Sequence, residues 1–431
     1  MRRKTMNDSK VNSIEAYRSC VILLLIVALT PTTTAADTMF RSNAEHTGVF
    51  DNEGIVATNN ELWRFETGGY VWSSPAVSNG VVYIGSDDYH LYSIDAVTGK
   101  EKWRFKTGTG SVVRSSPAVS NGVIYVYGGK LFAIDAMTGK EKWQFEMGAI
   151  PESPTVSNGV VYLGDSYNLY AIDAVTGKEK WRFRMGYSSQ TSPAVSNGVV
   201  YVGSIDNNLY AIDAVTGKEK WRFKTGNNVH SSPAVSNGIV YIGSDDFNLY
   251  AIDAVTGKEK WRFATGFGVR SSPAVSNGVV YVGSIDNNLY AIDAVTGKEK
   301  WRFETGLYVQ SSPAVSNGVV YVGSADNNLY AIDAVTGKEK WRFATKGIVT
   351  SSPAVSNGVI YIGSDDFNLY AIGGASSTPI TSLTAVSTPK TQSTPTTIST
   401  PSTFPPSTSA DFNLLLPIIA ILGILSFTSR R

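Results

Sequence analysis

The chain has almost no cysteine: Cys20 is the only one in 431 residues. No disulfide can form within it, and thiolate metal sites and thiol catalysis are excluded. Histidine is nearly as scarce. His46, His90 and His230 are the only three, lie in different parts of the chain, and show no metal-ligand spacing. A charge excess is also missing, since 37 basic and 36 acidic residues leave a net +1. A nucleic-acid partner held by bulk charge would need a basic surplus, so none is expected. Between the two ends no window follows a 3.6-residue apolar period, which excludes a helical body.

The ends carry membrane signals. Basic residues up to Arg18 precede the apolar run Val21 to Leu29, and Thr34-Ala35-Ala36 offers small residues for cleavage. The expectation is a secretory signal peptide over residues 1–36. Cys20 lies before the apolar run, whereas a lipid-anchor cysteine would follow it. Residues 374–410 are dense in Ser, Thr and Pro and cannot bury enough surface to fold, so an extended stalk is expected. Residues 411–431 contain the apolar run Phe412 to Phe427, closed by Arg430-Arg431. Its helical length of roughly 24 Å approaches the ~30 Å hydrocarbon layer, and the arginines suit the cytoplasmic end. The expected protein is exported and tethered to the membrane through this C-terminal helix, with its body at the cell surface.

That body, residues 37–373, is a repeat. Trp63, Trp103, Trp143, Trp181, Trp221, Trp261, Trp301 and Trp341 recur about every 40 residues, a period typical of solenoids, propellers and arrays. Within one unit Ala234-Val235-Ser236 and Ile239-Val240-Tyr241-Ile242 flank Asn237-Gly238, a strong hairpin signal. Asp245 to Asn248 makes the next turn, Leu249 to Ile252 a third strand, and Ala254 to Gly257 turns the chain into Lys260 to Phe263. Four short antiparallel strands per unit make a propeller blade. Trp63 has no three-strand unit before it, and Ser351 to Ile372 has no Trp strand after it. Joining these remnants completes an eighth blade. The sequence therefore predicts an all-β, eight-bladed propeller of four-stranded antiparallel blades, the ring closed by the N-terminal strand completing the last blade.

The motif Ala251-x-Asp253-x-x-Thr256-Gly257-x-x-x-Trp261 resembles the tryptophan-docking motif of pyrroloquinoline-quinone (PQQ) repeats. It recurs through Trp341 and fails in the last unit, where Gly373 replaces the Asp. Phe40 to Gly48 also resembles the lead-in segment of such proteins, so the likeness covers residues 39 to 373. It implies an eight-bladed propeller in which Trp103, Trp143, Trp181, Trp221, Trp261, Trp301 and Trp341 pack between blades while the Asp-Thr-Gly turn holds a strand pair. Rings of this size bury ~150–250 Å² each.

Dehydrogenases of that family hold a quinone with calcium, carboxylate and amide ligands, and commonly a vicinal cysteine pair. This chain has no such pair. Its recurrent Asp213, Asp253 and Asp293 belong to the structural turn, and near-identical repeats build no asymmetric pocket. We therefore expect no catalysis, cofactor or metal. The acidic turns Asp87-Asp88, Asp245-Asp246 and Asp365-Asp366 lack the oxygen-ligand run of a calcium loop and read as Asx-type turns.

Alternating strand directions put the Asn-Gly and Thr-Gly turns on one, constant face. The remaining turns share a variable face. There the residue three before the proline is Trp72, Arg114, Pro151, Gln190, His230, Arg270, Gln310 and Thr350 in successive units. Aromatic and arginine residues dominate binding energies. Trp72, Arg114, Gln190, His230, Arg270 and Gln310 are thus the candidate binding residues at the channel mouth, for an extracellular protein or glycan. The expected function is a cell-surface binding or scaffolding propeller. Alternatives are an envelope scaffold resembling the outer-membrane assembly propeller, and a quinoprotein oxidoreductase. The stalk and tail resemble C-terminal anchors of archaeal surface proteins, without their Pro-Gly-Phe signature.

Overall fold

A computed structural model describes residues 38–50, 56–108, 110–148 and 153–374. The expected signal peptide, stalk and C-terminal anchor, and Pro151, lie outside the described residues. Among the described residues no helix is long and apolar enough to cross a membrane.

Among the described residues thirty-two strands, β1 to β32 in chain order, form eight four-stranded antiparallel sheets. Blades 1 to 7 span residues 76–106, 118–145, 155–184, 194–224, 234–264, 274–304 and 314–344. Blade 8 joins residues 354–373 to the N-terminal strand β1 (Glu61–Glu66), which pairs with β32 (Asn368–Gly373) in the register Trp63↔Ala371 and Phe65↔Leu369. The predicted closure is present.

Blade 5 shows why the repeat folds this way. Its strands are Ala234–Ser236, Ile239–Gly243, Asn248–Asp253 and Glu259–Ala264. Asn237 and Gly238 take φ of 51° and 73°, the consecutive left-handed pair that a tight hairpin requires. Apolar side chains on both faces of the middle strands are buried between neighbouring blades. Tyr241, Leu249 and Ala251 of blade 5 share a cluster with Val280, Tyr290 and Ile292 of blade 6. The outermost strand alternates half-buried Trp261 and Phe263 with exposed Lys260 and Arg262. Its charged outer side blunts an otherwise open edge.

Serines stitch the blades around the channel. Ser271 Oγ donates to the Ser311 carbonyl, Ser311 Oγ to Ser351, and Ser351 Oγ to Ser73, at 2.9–3.0 Å. The following serine joins a second ring, as in Ser312 N donating to Ser352 Oγ and Ser352 N to Ser74 Oγ. The Ser-Ser-Pro motif thus provides circumferential hydrogen bonds in place of covalent closure.

At the outer rim each indole crosses to the next blade. Trp221 Nε1 donates to the Ala254 carbonyl at 3.1 Å, where Tyr201 Oη also donates at 3.2 Å. Asp253 Oδ1 accepts from Thr256 N and Oγ1, which shapes the turn that presents this carbonyl. Gly257, at φ 69°, lies against the Trp221 ring so closely that a Cβ there would stand 2.7 Å from it. The same bond recurs from Trp63, Trp103, Trp143, Trp181, Trp261 and Trp301. At the closure blade 8 has no such turn, and Trp341 donates to the N-terminal Ala57 instead. The tryptophans are half-buried, so each buries less than a core aromatic does.

Candidate functional site

The channel is not an empty bore. Residues 38–50 run inside the ring of inner strands and bond to six of them. Thr38 bridges Val119, and the carbonyls of Ala44, Glu45, Thr47 and Gly48 accept from the amides of Val195, Val235, Val275 and Val315. His46 meets Thr155 at 3.1 Å. The Arg41 guanidinium donates to the carbonyls of His46, Ser272 and Pro273. Burial lowers the Arg41 pKa to about 9, which leaves it cationic at neutral pH. Burial, then the Arg41 charge, pushes His46 down to about 3.

A pH dependence follows. Folded His46 stays neutral down to about pH 3, whereas unfolded His46 takes a proton near 6.5. Between those values the unfolded chain binds more protons, so stability falls as the pH is lowered, by roughly 4–5 kcal/mol over the whole window. His46→Gln is expected to flatten the decline in melting temperature between pH 6.5 and 4 relative to the parent. Parallel curves would mean that His46 does not titrate this way.

On the variable face two clusters form from residues distant in sequence. Asp87, in a blade 1 turn, receives Arg114 of the blade 2 lead-in at 2.8 and 3.0 Å. The Arg114 guanidinium also lies 4.0 Å over the Trp72 ring. The bond to Asp87 raises the Arg114 pKa above its ordinary value. The Trp72 side chain hydrogen-bonds Asp365 of blade 8, whose pKa is raised first by burial. Asp365 Oδ1 and Thr350 Oγ1 are buried without a hydrogen-bond partner.

Blades 5 and 6, across the ring from this cluster, carry the second one. Asp245 holds Arg270 at 3.0 and 3.1 Å, with His230 Nε2 3.4 Å away. Burial lowers the His230 pKa, against the attraction of Asp245. The structure thus joins Trp72 with Arg114, and His230 with Arg270. Gln190 and Gln310 are half-buried on blades 4 and 7, outside both clusters.

The second acidic residue of each turn has a different task. Asp246 Oδ2 accepts from Tyr250 Oη at 2.7 Å and from Gly226 N, while Oδ1 accepts from Asn248 N. The pattern recurs at Asp206, Asp286 and Asp326. The first position varies with the partner: Asp87, Asp245 and Asp365 stand where Ile205, Ile285 and Ala325 occupy other blades.

The residue after this second Asp was overlooked as a site candidate. Asn207, Asn287 and Asn327 occupy it at φ 70–73°, and so do Tyr89, Phe247 and Phe367 at 71–73°. Asparagine tolerates that conformation, whereas a bulky residue there is an outlier costing about 1–2 kcal/mol. Phe247 is nonetheless 43% exposed, and it stacks on Phe267 at 5.0 Å. Phe367 meets Tyr70 at 5.1 Å, and Tyr167 meets Tyr187 at 6.0 Å. The available signal was the contrast between Asn and Phe at one repeat position.

On the constant face a shallow depression of about 860 Å³ lies at the closure, beside Ala57, Lys338 and Trp341. Apart from Ala57 these are residues of the repeated turn and strand.

Comparison with known proteins accounts for this architecture. The family described as outer membrane protein assembly factor BamB matches in overlapping stretches at residues 52–151, 106–186, 133–232, 165–267, 219–313 and 303–379. The chain belongs to this family of PQQ-like repeats. BamB from Moraxella catarrhalis is similar in structure, at a TM-score of 0.62 and 19% identity over 74% of this chain and 100% of that one. A europium-containing methanol dehydrogenase gives 0.68 and 15% over 80% and 99%. Quinohemoprotein alcohol dehydrogenase from Comamonas testosteroni gives 0.67 and 18% over 81% and 82%. No curated protein matches. Identities this low establish a shared fold, and that fold serves dehydrogenases and an assembly factor alike.

Among the described residues no three His, Cys, Asp or Glu side chains gather as a metal site. The inner strands are instead bonded to residues 38–50.

Proposed function

We propose that this chain is a non-catalytic binding propeller of the cell envelope, which holds a partner on its variable face. One observation carries the reading: the chemistry-bearing departures from the repeat gather on that face, while the opposite face is nearly uniform. Arg114 with Trp72, and Arg270 with His230, are held by Asp87 and Asp245 in fixed orientations. Preorganised aromatic and guanidinium groups at a surface are effective binding anchors. The signals at both chain ends support export and a stalked anchor, with the propeller outside and an extracellular protein or glycan as partner. Family membership favours a second reading within the same class, an envelope assembly scaffold. The segment of residues 38–50 bonded to the inner strands weighs against a quinoprotein oxidoreductase.

The test uses the full chain in detergent and envelopes from cells lacking it. Trp72→Ala and Arg270→Ala are each expected to weaken co-sedimentation by about thirtyfold, the equivalent of ~2 kcal/mol. Lys218→Ala and Lys258→Ala on the constant face should leave it unchanged. Equal losses from both faces would overturn the assignment.

A further inference from the structure

The repeat supplies its own control for the exposed rings of the variable face. At one backbone position and one φ, blades 4, 6 and 7 carry Asn207, Asn287 and Asn327, whereas blades 5 and 8 carry Phe247 and Phe367. Asparagine suits both the left-handed backbone and the solvent there, so folding does not require the ring. In blades 5 and 8 the ring does not come alone. Phe247 stacks on Phe267 with the rings 27° apart, and Phe367 meets Tyr70 at a tilt of 56°, while the residue matching Phe267 is Asn227 beside Asn207, the exposed Leu307 beside Asn287, and Gly347 beside Asn327. Blades 5 and 8 thus carry a ring pair where blades 4, 6 and 7 do not, and its members stay 39–53% exposed.

Resting on the binding reading above, we propose that these pairs are subsites for a neutral polysaccharide. The stacked Phe247–Phe267 pair, and the exposed Phe367 ring beside Tyr70, each offer an aromatic face to the C–H side of a pyranose. Towards the channel each pair is followed by groups suited to sugar hydroxyls. Asp245 with Arg270 follows the blade 5 pair, and the half-buried Asp365, bonded to Trp72, follows the blade 8 pair. Asp87 and Asp245 are each offset by an arginine, so the face selects neither a polyanion nor a polycation. A protein partner would fit a contiguous apolar centre with a polar rim. Here the blade 5 and blade 8 rings are separated by blades 6 and 7, which bear asparagine at that position, as suits a ligand that repeats its own chemistry along its length.

The experiment takes the polysaccharide fraction of envelopes from cells lacking this protein, freed of protein by digestion, and casts it into a native gel. The full chain in detergent is expected to be retarded. Phe247→Asn with Phe367→Asn should weaken retardation at least tenfold while the melting temperature holds or rises, because asparagine already occupies this turn in three blades. Retardation unchanged in the double variant, or absent in the parent, would overturn the proposal. If the parent binds only the protein fraction, and Trp72→Ala abolishes that binding, the saccharide assignment fails and the binding reading stands. If it binds neither fraction, both fail.

Discussion

Deleting residues 37–66 is expected to convert a folded protein into aggregating material. The deletion removes β1, and with it the only partner of the outer edge of β32. Backbone amides and carbonyls from Asn368 to Gly373 then form an open edge, a template for pairing with other chains. Ala57, the acceptor for Trp341 Nε1, and Trp63, which docks on Ala96, are lost together. A smaller deletion, residues 38–50, separates closure from channel filling. It leaves β1 in place but strips the amides of Val195, Val235, Val275 and Val315 of their acceptors. Each buried donor so orphaned costs about 1–3 kcal/mol. The shorter deletion should therefore lower the melting temperature steeply yet remain monomeric by light scattering, while the longer one associates. A monomeric 37–66 deletion with parental melting would refute the closure as the element that holds the ring.

What could be read from the chain beforehand was whatever repeats. The Asn-Gly hairpins, the Thr-Gly turn and the unmatched Trp63 strand are local patterns, and local backbone chemistry fixes what they form. The channel segment could not be read. Phe40 to Gly48 engages the ring mainly through its own carbonyls, and a backbone acceptor leaves no trace in residue identity. Arg114 and Asp87 were both visible, but 27 positions separate them, and only the ring geometry brings a blade's lead-in against its neighbour's turn. For the same reason the pairing of His230 and Arg270 through Asp245 became visible only with the blades in place. The exposed phenylalanines stayed hidden because an apolar residue between polar ones in a turn resembles drift. Only its φ, shared with asparagine in sibling blades, marks it as a costly choice.

The docking turn gives the other large effect, and a double substitution separates its parts. Trp221→Ala removes a half-buried indole, its hydrogen bond to Ala254 and its contact with Tyr201 at 5.8 Å. A fully buried aromatic lost to alanine costs about 3–5 kcal/mol, and partial exposure lowers the expectation to ~2–3. Gly257→Ala adds a Cβ that meets the same ring at 2.7 Å, at a φ of 69°. Backbone strain alone costs about 1–2 kcal/mol, and displacing the indole adds a similar amount. The two changes are expected to be non-additive. Once Trp221 is gone, Gly257→Ala has no ring to strike and should cost only the backbone term, which leaves a coupling of about 1–2 kcal/mol in chemical denaturation. Nearest-neighbour stacking confines the direct loss to the blade 4 and 5 junction, although cooperativity spreads it along the ring. Among the described residues no glycine stands against the Trp341 ring, whose indole bonds to Ala57. Trp341→Ala should therefore destabilise less than Trp221→Ala. Equal costs at both sites, or strict additivity at the first, would show that the glycine and the indole do not support one another.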